Sequence, residues 1–154
     1  MMSKAAKKST IEWMPITERL MVARFVSRYP KVSVIQCYTP TNDAEETKDT
    51  FYQQLQTALD NVPSHDVLLV IGDLNAKVGR PNKRREKIMW KNGCGEMNKN
   101  GEKLAGICGL NDLVNGGTIF EHKDIHKLTW ISPDGNVKKK VYHFLRSTLV
   151  MTSL

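Results

Sequence analysis

The sequence contains no apolar stretch approaching the ~18–20 residues that cross a bilayer, so neither a membrane span nor a membrane partner is expected. It has too few cysteines for a disulfide framework. Cys37, Cys94 and Cys108 are an odd set without a Cys-x-x-Cys spacing, which suits a reducing intracellular compartment, nuclear or cytoplasmic. Met1–Thr10 is basic and polar with no apolar run behind it, so it does not read as a secretory signal. Glycine is neither abundant nor periodic, with 10 Gly and 6 Pro among 154 residues, which excludes a collagen and a low-complexity chain. What remains is a globular composition, 40% hydrophobic and 25% charged, at a length that fits one domain. Lys and Arg number 23 against 16 Asp and Glu, a formal charge of +7. That excess fits a polyanionic partner or plain solubility, and charge does not choose between them.

Residues 1–10 read as a disordered basic arm, 11–146 as the domain and 147–154 as a frayed tail. Strands are expected at Leu20–Val26 and Val32–Tyr38, the second alternating between two faces. Asp43, with Glu46 three residues on, makes a capping box. Phe51, Leu55, Leu59 and Val62 then form one apolar helical stripe, which Pro63 ends. Val67–Ile71 is a continuous apolar run, the pattern of a strand buried on both faces. Residues 79–101 read as a long exposed loop, in which Met89-Trp90 is either a groove-probing hydrophobe or a packing anchor. A short helix at Gly101–Cys108 is capped by Asn100, and short strands are expected at Leu113–Phe120, Lys127–Ile131 and Val141–Leu145. This order implies a mixed α/β (α+β) fold with sheet packed against helices.

The most informative segment is Gly72-Asp73-Leu74-Asn75-Ala76, at the end of the most apolar strand. A carboxylate leaving a rigid strand is held in place, and a carboxamide two residues on can face the same cleft. Phosphodiester hydrolysis uses such a pair, the carboxylate to orient water and the amide to donate to a phosphoryl oxygen. The same residues also make an Asx turn that bonds only nearby backbone. Spacing leaves both open.

The stretches IQCYTPTNDAEET, HDVLLVIGDLNAKVG, NGEKLAGICGLNDLV and HKDIHKLTWISPDG resemble the endonuclease/exonuclease/phosphatase superfamily. Within it they are similar to the apurinic-endonuclease-like nuclease of RTE-type non-LTR retrotransposons and to host proteins of the craniofacial development protein 2-like group. The resemblance covers residues 11–145. It implies a two-sheet β-sandwich flanked by helices, of which this chain has a part, and Mg²⁺-dependent cleavage of DNA. By that resemblance Asp73 orients or deprotonates the attacking water, Asn75 bonds the scissile phosphate and Tyr38 stands beside it. Trp130 lines the pocket where a nucleotide or groove is probed, and with Thr129 and Lys77 it completes the substrate-binding candidates. Taken alone, Tyr38 reads better as an aromatic packed at a strand end, and Trp130 equally as a core residue.

The sequence departs from the family pattern. A Glu-bearing strand that supplies the metal ligand should precede residue 11, and a Ser-Asp-His segment should follow the last strand. Neither is present, so the expectation is a domain truncated at both ends, with no metal ligand carried over and Mg²⁺ binding in doubt. Lys139-Lys140-Val141-Tyr142-His143-Phe144 occupies the family's Asn-Gln-Ile-Asp-Tyr-Ile, so Tyr142 stands where an Asp buttresses the catalytic His. The expected function is a catalytically impaired fragment of a retrotransposon-derived endonuclease that contacts DNA weakly through phosphates. The alternatives are an active phosphodiesterase completed by further segments, or a non-catalytic DNA- or chromatin-binding module. Lys83-Arg84-Arg85 and Lys138-Lys139-Lys140 either touch phosphates or are solvated, and Lys4, Lys7 and Lys8 fit a weak nuclear signal. His122 and His126 have a zinc half-site spacing with no companion cysteine pair, so a polar loop is the plainer reading. A sandwich lacking strands should expose sheet edges and apolar face, and so be marginally stable.

Overall fold

The computed structural model describes residues 3–41, 45–79, 87–89, 96–118, 130–131, 138–139 and 142–147. A short helix α1, Lys4–Ser9, leads into β1, Thr10–Thr17, and β2, Leu20–Phe25. β3, Val32–Tyr38, is followed by α2, Glu45–Asp60, and β4, Val67–Asp73. α3, Lys99–Leu110, precedes β5, Leu113–Asn115, and a 3₁₀ turn at Gly116–Thr118. β6, Trp130–Ile131, β7, Lys138–Lys139, and β8, Tyr142–Ser147, complete the described elements.

Six strands form one sheet in the order β1-β2-β3-β4-β8-β5, while β6 and β7 pair as a separate ribbon. Only β3 and β4 run parallel, as α2 makes the crossover between them; the other pairs are antiparallel. The β-rich VSVIQCY run of β3 sets the frame, with Ser33, Ile35 and Cys37 buried on one side. In register beside them Leu68 and Val70 of β4 face the same way, as does Leu145 of β8. Against this face lie Phe51, Tyr52, Leu55, Ala58 and Leu59 of α2, and Leu104, Ala105, Ile107 and Cys108 of α3. Each fully buried aliphatic side chain contributes about 1.5–3 kcal/mol, so this single-sided core is the main source of stability.

Arg24 of β2 donates to both carboxylate oxygens of Asp66, at 2.6 and 2.9 Å, and Ser33 of β3 donates to the same carboxylate at 2.7 Å. The side chain of Asp66 is fully buried. The charged group just ahead of β4 is thereby tied to the two preceding strands.

Several expectations are corrected. Residues 4–9 of the supposed disordered arm are helical, started by Ser3, whose hydroxyl accepts the Ala6 amide. Residues 10–17 are an edge strand that the sequence reading lacked, and Pro15 fits there because an edge strand spares a donor. β4 is buried on one face only. Ile71 is 37% exposed beside its register partner Phe144 at 41%, because the helices cover the opposite side of the sheet. Within the expected exposed loop, Met89 is 2% exposed and joins the core, and the Ile88 carbonyl accepts the Asn115 amide. Of its two readings, Met89 takes the packing one. Asn98, not Asn100, caps α3, and Ser147 belongs to β8 and is buried rather than frayed. Asn42, Asp43, residues 83–85, Trp90, Cys94, His122, His126 and Lys140 lie outside the described residues. Among the described residues no helix is long and apolar enough to cross a membrane.

Candidate functional site

The site forms where β3 and β4 end together. Their parallel register pairs Tyr38 with Asp73, and the Thr39 amide donates to the Asp73 carbonyl at 2.8 Å. Gly72 permits this closeness. Its φ is +145°, and a Cβ there would lie 1.9 Å from the Cys37 carbonyl oxygen. Only glycine fits that backbone without strain.

Asp73 Oδ1 accepts the Asn75 amide at 3.0 Å, so the Asx turn exists. It does not confine Asn75 to local bonding. Asn75 adopts a left-handed φ of 44°, which turns its side chain back so that Nδ2 donates to the Thr39 carbonyl at 2.9 Å. An amide nitrogen carries two hydrogens, which leaves a second donor on Asn75. The turn after β4 is thus bonded to the turn after β3.

A second layer comes from α3. Asn98 Oδ1 accepts the amides of Gly101 and Lys77, both at 2.8 Å, while the Asn98 amide donates to the Lys77 carbonyl at 3.1 Å. Asn98 Nδ2 donates to the Asn75 carbonyl at 3.0 Å. Asn100 Nδ2 donates to the Pro40 carbonyl at 3.2 Å and reaches the Asn75 carbonyl at 3.5 Å. Tyr52 of α2 holds Asn100 in turn, its hydroxyl donating to the Asn100 carbonyl at 3.0 Å. Burial pushes the Tyr52 phenol upward, so it remains a neutral donor. On the open side Arg19, just before β2, lies over the Tyr38 ring with 5.5 Å between guanidinium carbon and ring centre. The Tyr38 amide also donates to the Arg19 carbonyl at 3.0 Å.

Tyr38, Asp73 and Asn75, three candidates drawn from the sequence, therefore meet at the C-terminal ends of two neighbouring inner strands. Tyr38 is 46% exposed rather than packed away. Lys77 follows on the same turn, with its backbone engaged by Asn98 and its side chain exposed. Trp130 stands in the separate ribbon, paired with Lys139, and Thr129 lies outside the described residues. Arg19, Asn98 and Asn100 were missed as site residues. Asn98 carried a signal, being an N-cap residue type ahead of a helix, but Arg19 is revealed only by the pairing of β2 with β3.

Among the described residues no group of three or more His, Cys, Asp or Glu is placed to hold a metal ion. The donors gathered at the turn are one carboxylate and one carboxamide, and Asp73 Oδ1 already accepts a backbone amide. Across the sheet Tyr142 is the register partner of Asp73 on β8.

No family model matches the chain. Craniofacial development protein 2 from Bos taurus is 36% identical over 129 residues, 83% of this chain and 22% of that protein. The Tragulus javanicus protein matches with the same identity and coverage. The chain thus spans about a fifth of the length of these relatives. Among solved structures, the 3′ phosphatase NExo from Neisseria, bound to a product DNA hairpin, superposes with a TM-score of 0.64 at 15% identity. That match covers 92% of this chain and 60% of that one. The endonuclease domain of TRAS1, a telomere-specific non-LTR retrotransposon, gives a TM-score of 0.59 at 16% identity over 89% and 56% of the two chains. The chain therefore carries part of the endonuclease/exonuclease/phosphatase fold and is related in sequence to craniofacial development protein 2.

Proposed function

We propose that the chain is a DNA-binding module built on the phosphate-handling part of a phosphodiesterase cleft, descended from a non-LTR retrotransposon endonuclease and impaired in turnover. The observation that carries this reading is the convergence of Tyr38, Asp73 and Asn75 at the joined ends of β3 and β4. Asn75 has one amide hydrogen committed to Thr39 and a second to offer a phosphoryl oxygen. Asp73, fixed at the end of a paired strand, is placed to orient a water molecule. Arg19 brings a positive charge to the exposed face of Tyr38, where a phosphate crossing these strand ends would meet it. The +7 charge of the chain favours such a partner at a distance.

The same residues argue against efficient hydrolysis. One positioned acid or base is worth about 10²–10⁴ in rate, and metal assistance adds several kcal/mol of charge stabilisation. The described site offers one carboxylate, and Tyr142, the register partner of Asp73, stands in the sequence where the resemblance puts a buttressing Asp. Supercoiled plasmid incubated with Mg²⁺ tests this. The wild-type chain should nick it no faster than Asp73→Ala; nicking that is lost in the variant would restore the reading as an active enzyme.

A further inference from the structure

We infer that Asn98, at the start of α3, is a positioning residue for Asn75, holding its carboxamide at the angle that meets a DNA phosphate. This deepens the function proposed above and rests on it for its DNA readout. Three features single out Asn98. Its Oδ1 serves two amides, Lys77 on the site turn and Gly101 in the helix, so the side chain is held at both ends. Its Nδ2 then donates to the Asn75 carbonyl, and that donor plays no part in capping the helix. Gly101 allows the approach, since a Cβ there would sit 2.0 Å from the Lys77 carbonyl oxygen.

The Asn75 peptide is strained toward the left-handed region, a conformation that persists where surrounding bonds over-determine it. Asn98 supplies the shorter of the two side-chain bonds to that peptide's carbonyl, the other coming from Asn100. Without those bonds Asn75 would relax in φ out of the left-handed region, and that rotation about N–Cα would carry its side chain off the Thr39 carbonyl. The rest of α3 would be untouched, because the cap itself does not depend on Nδ2.

Two substitutions separate capping from positioning. Asn98→Asp and Asn98→Ser both keep an oxygen to accept the Gly101 amide, and both lose the Nδ2 amide that donates to Asn75; the serine adds no charge, and its only donor is a hydroxyl one bond nearer the backbone. Binding of a labelled duplex by the full chain is measured for each, alone and combined with Asn75→Ala. Hydrogen exchange of the Asn75 side-chain amide is followed by NMR in parallel. We expect thermal stability close to wild type, exchange at least about tenfold faster, and affinity lower by about three- to tenfold, the scale of a weakened bond to a charged oxygen. That affinity loss should vanish in the Asn75→Ala background, as expected of coupled residues.

Unchanged affinity and unchanged exchange would overturn the inference. So would an equal loss in both backgrounds, which would mark a charge or folding effect. If the wild-type chain fails to bind duplex, the proposed function falls while the exchange rate still decides the positioning role.

Discussion

Tyr38 and Asp73 stand side by side in the parallel register of β3 and β4, and the Thr39 amide bonds the Asp73 carbonyl at 2.8 Å. Two residues separated by a helix in the sequence thus become neighbours at the ends of two inner strands. Their relation depends on how closely the two strands approach, and that makes it testable far from the chemistry.

Gly72→Ala should lower stability by about 3 kcal/mol or more, since its Cβ would overlap the Cys37 carbonyl in a backbone conformation that alanine resists. Gly106→Ala is the contrasting case. Nothing lies within 4 Å of a Cβ there, and the residue is inside α3, so helix propensity should raise stability by about 0.5–1 kcal/mol. Urea denaturation of both variants checks the pair. A neutral Gly72→Ala would mean that β3 and β4 do not meet as described.

The Arg24–Asp66 pair should leave a mark in acid. The bonds from Arg24, with Ser33 adding to them, hold the Asp66 carboxyl below the ordinary carboxylate range in spite of its burial. A folded-state pKa lowered in this way contributes stability above the unfolded value of about 4, and the contribution is lost as pH falls through the folded value. Asp66→Asn should therefore cost about 3 kcal/mol at pH 7, the scale for breaking a buried pair. The gap from wild type should narrow below pH ~4. Exposed Glu45, also held low by Lys103 and Lys99, is common to both proteins and cancels. A gap that stays constant with pH would refute the pairing.

Cys37 and Cys108 should resist alkylation in the folded protein. Burial pushes both thiols up to about 12, and for Cys37 the charge of Asp73 adds to the effect. The thiolate is the reactive form, so iodoacetamide at pH 8 should label neither until urea is added. Mass spectrometry of peptides from native and denatured samples reads this directly. Labelling of Cys37 in the native chain would show that β3 is not sealed by α2.

Legibility in the sequence followed how local each determinant was. The bounds of β3 are legible because two-face alternation runs through it and the Tyr-Thr-Pro punctuation closes it. β1 escaped because its residues are mostly exposed on both faces and Pro15 interrupts it; what makes it a strand is pairing with β2. Asn98 and Asn100 are equally good caps by residue type, and the choice falls to Asn98 through its bonds to Lys77, a contact across 21 residues of chain. Met89 was hidden in a Gly-, Asn- and Lys-rich stretch whose polarity gave no hint of a buried anchor. The continuous apolar run of β4 suggested burial on both sides, and only the one-sided placement of the helices shows that Ile71 is half-open. For the site, the Asp73–Asn75 motif and the resemblance at Tyr38 named three residues that meet, but the asparagines supporting them came from tertiary contacts.

The most direct measurement compares wild-type chain with Asn75→Ala in a fluorescence anisotropy titration of a labelled duplex at fixed low salt. Wild-type binding, with affinity about tenfold lower in the variant at equal thermal stability, is the predicted result. Equal affinity of the two proteins, or no binding by either, would contradict the assignment of these joined strand ends to DNA phosphate.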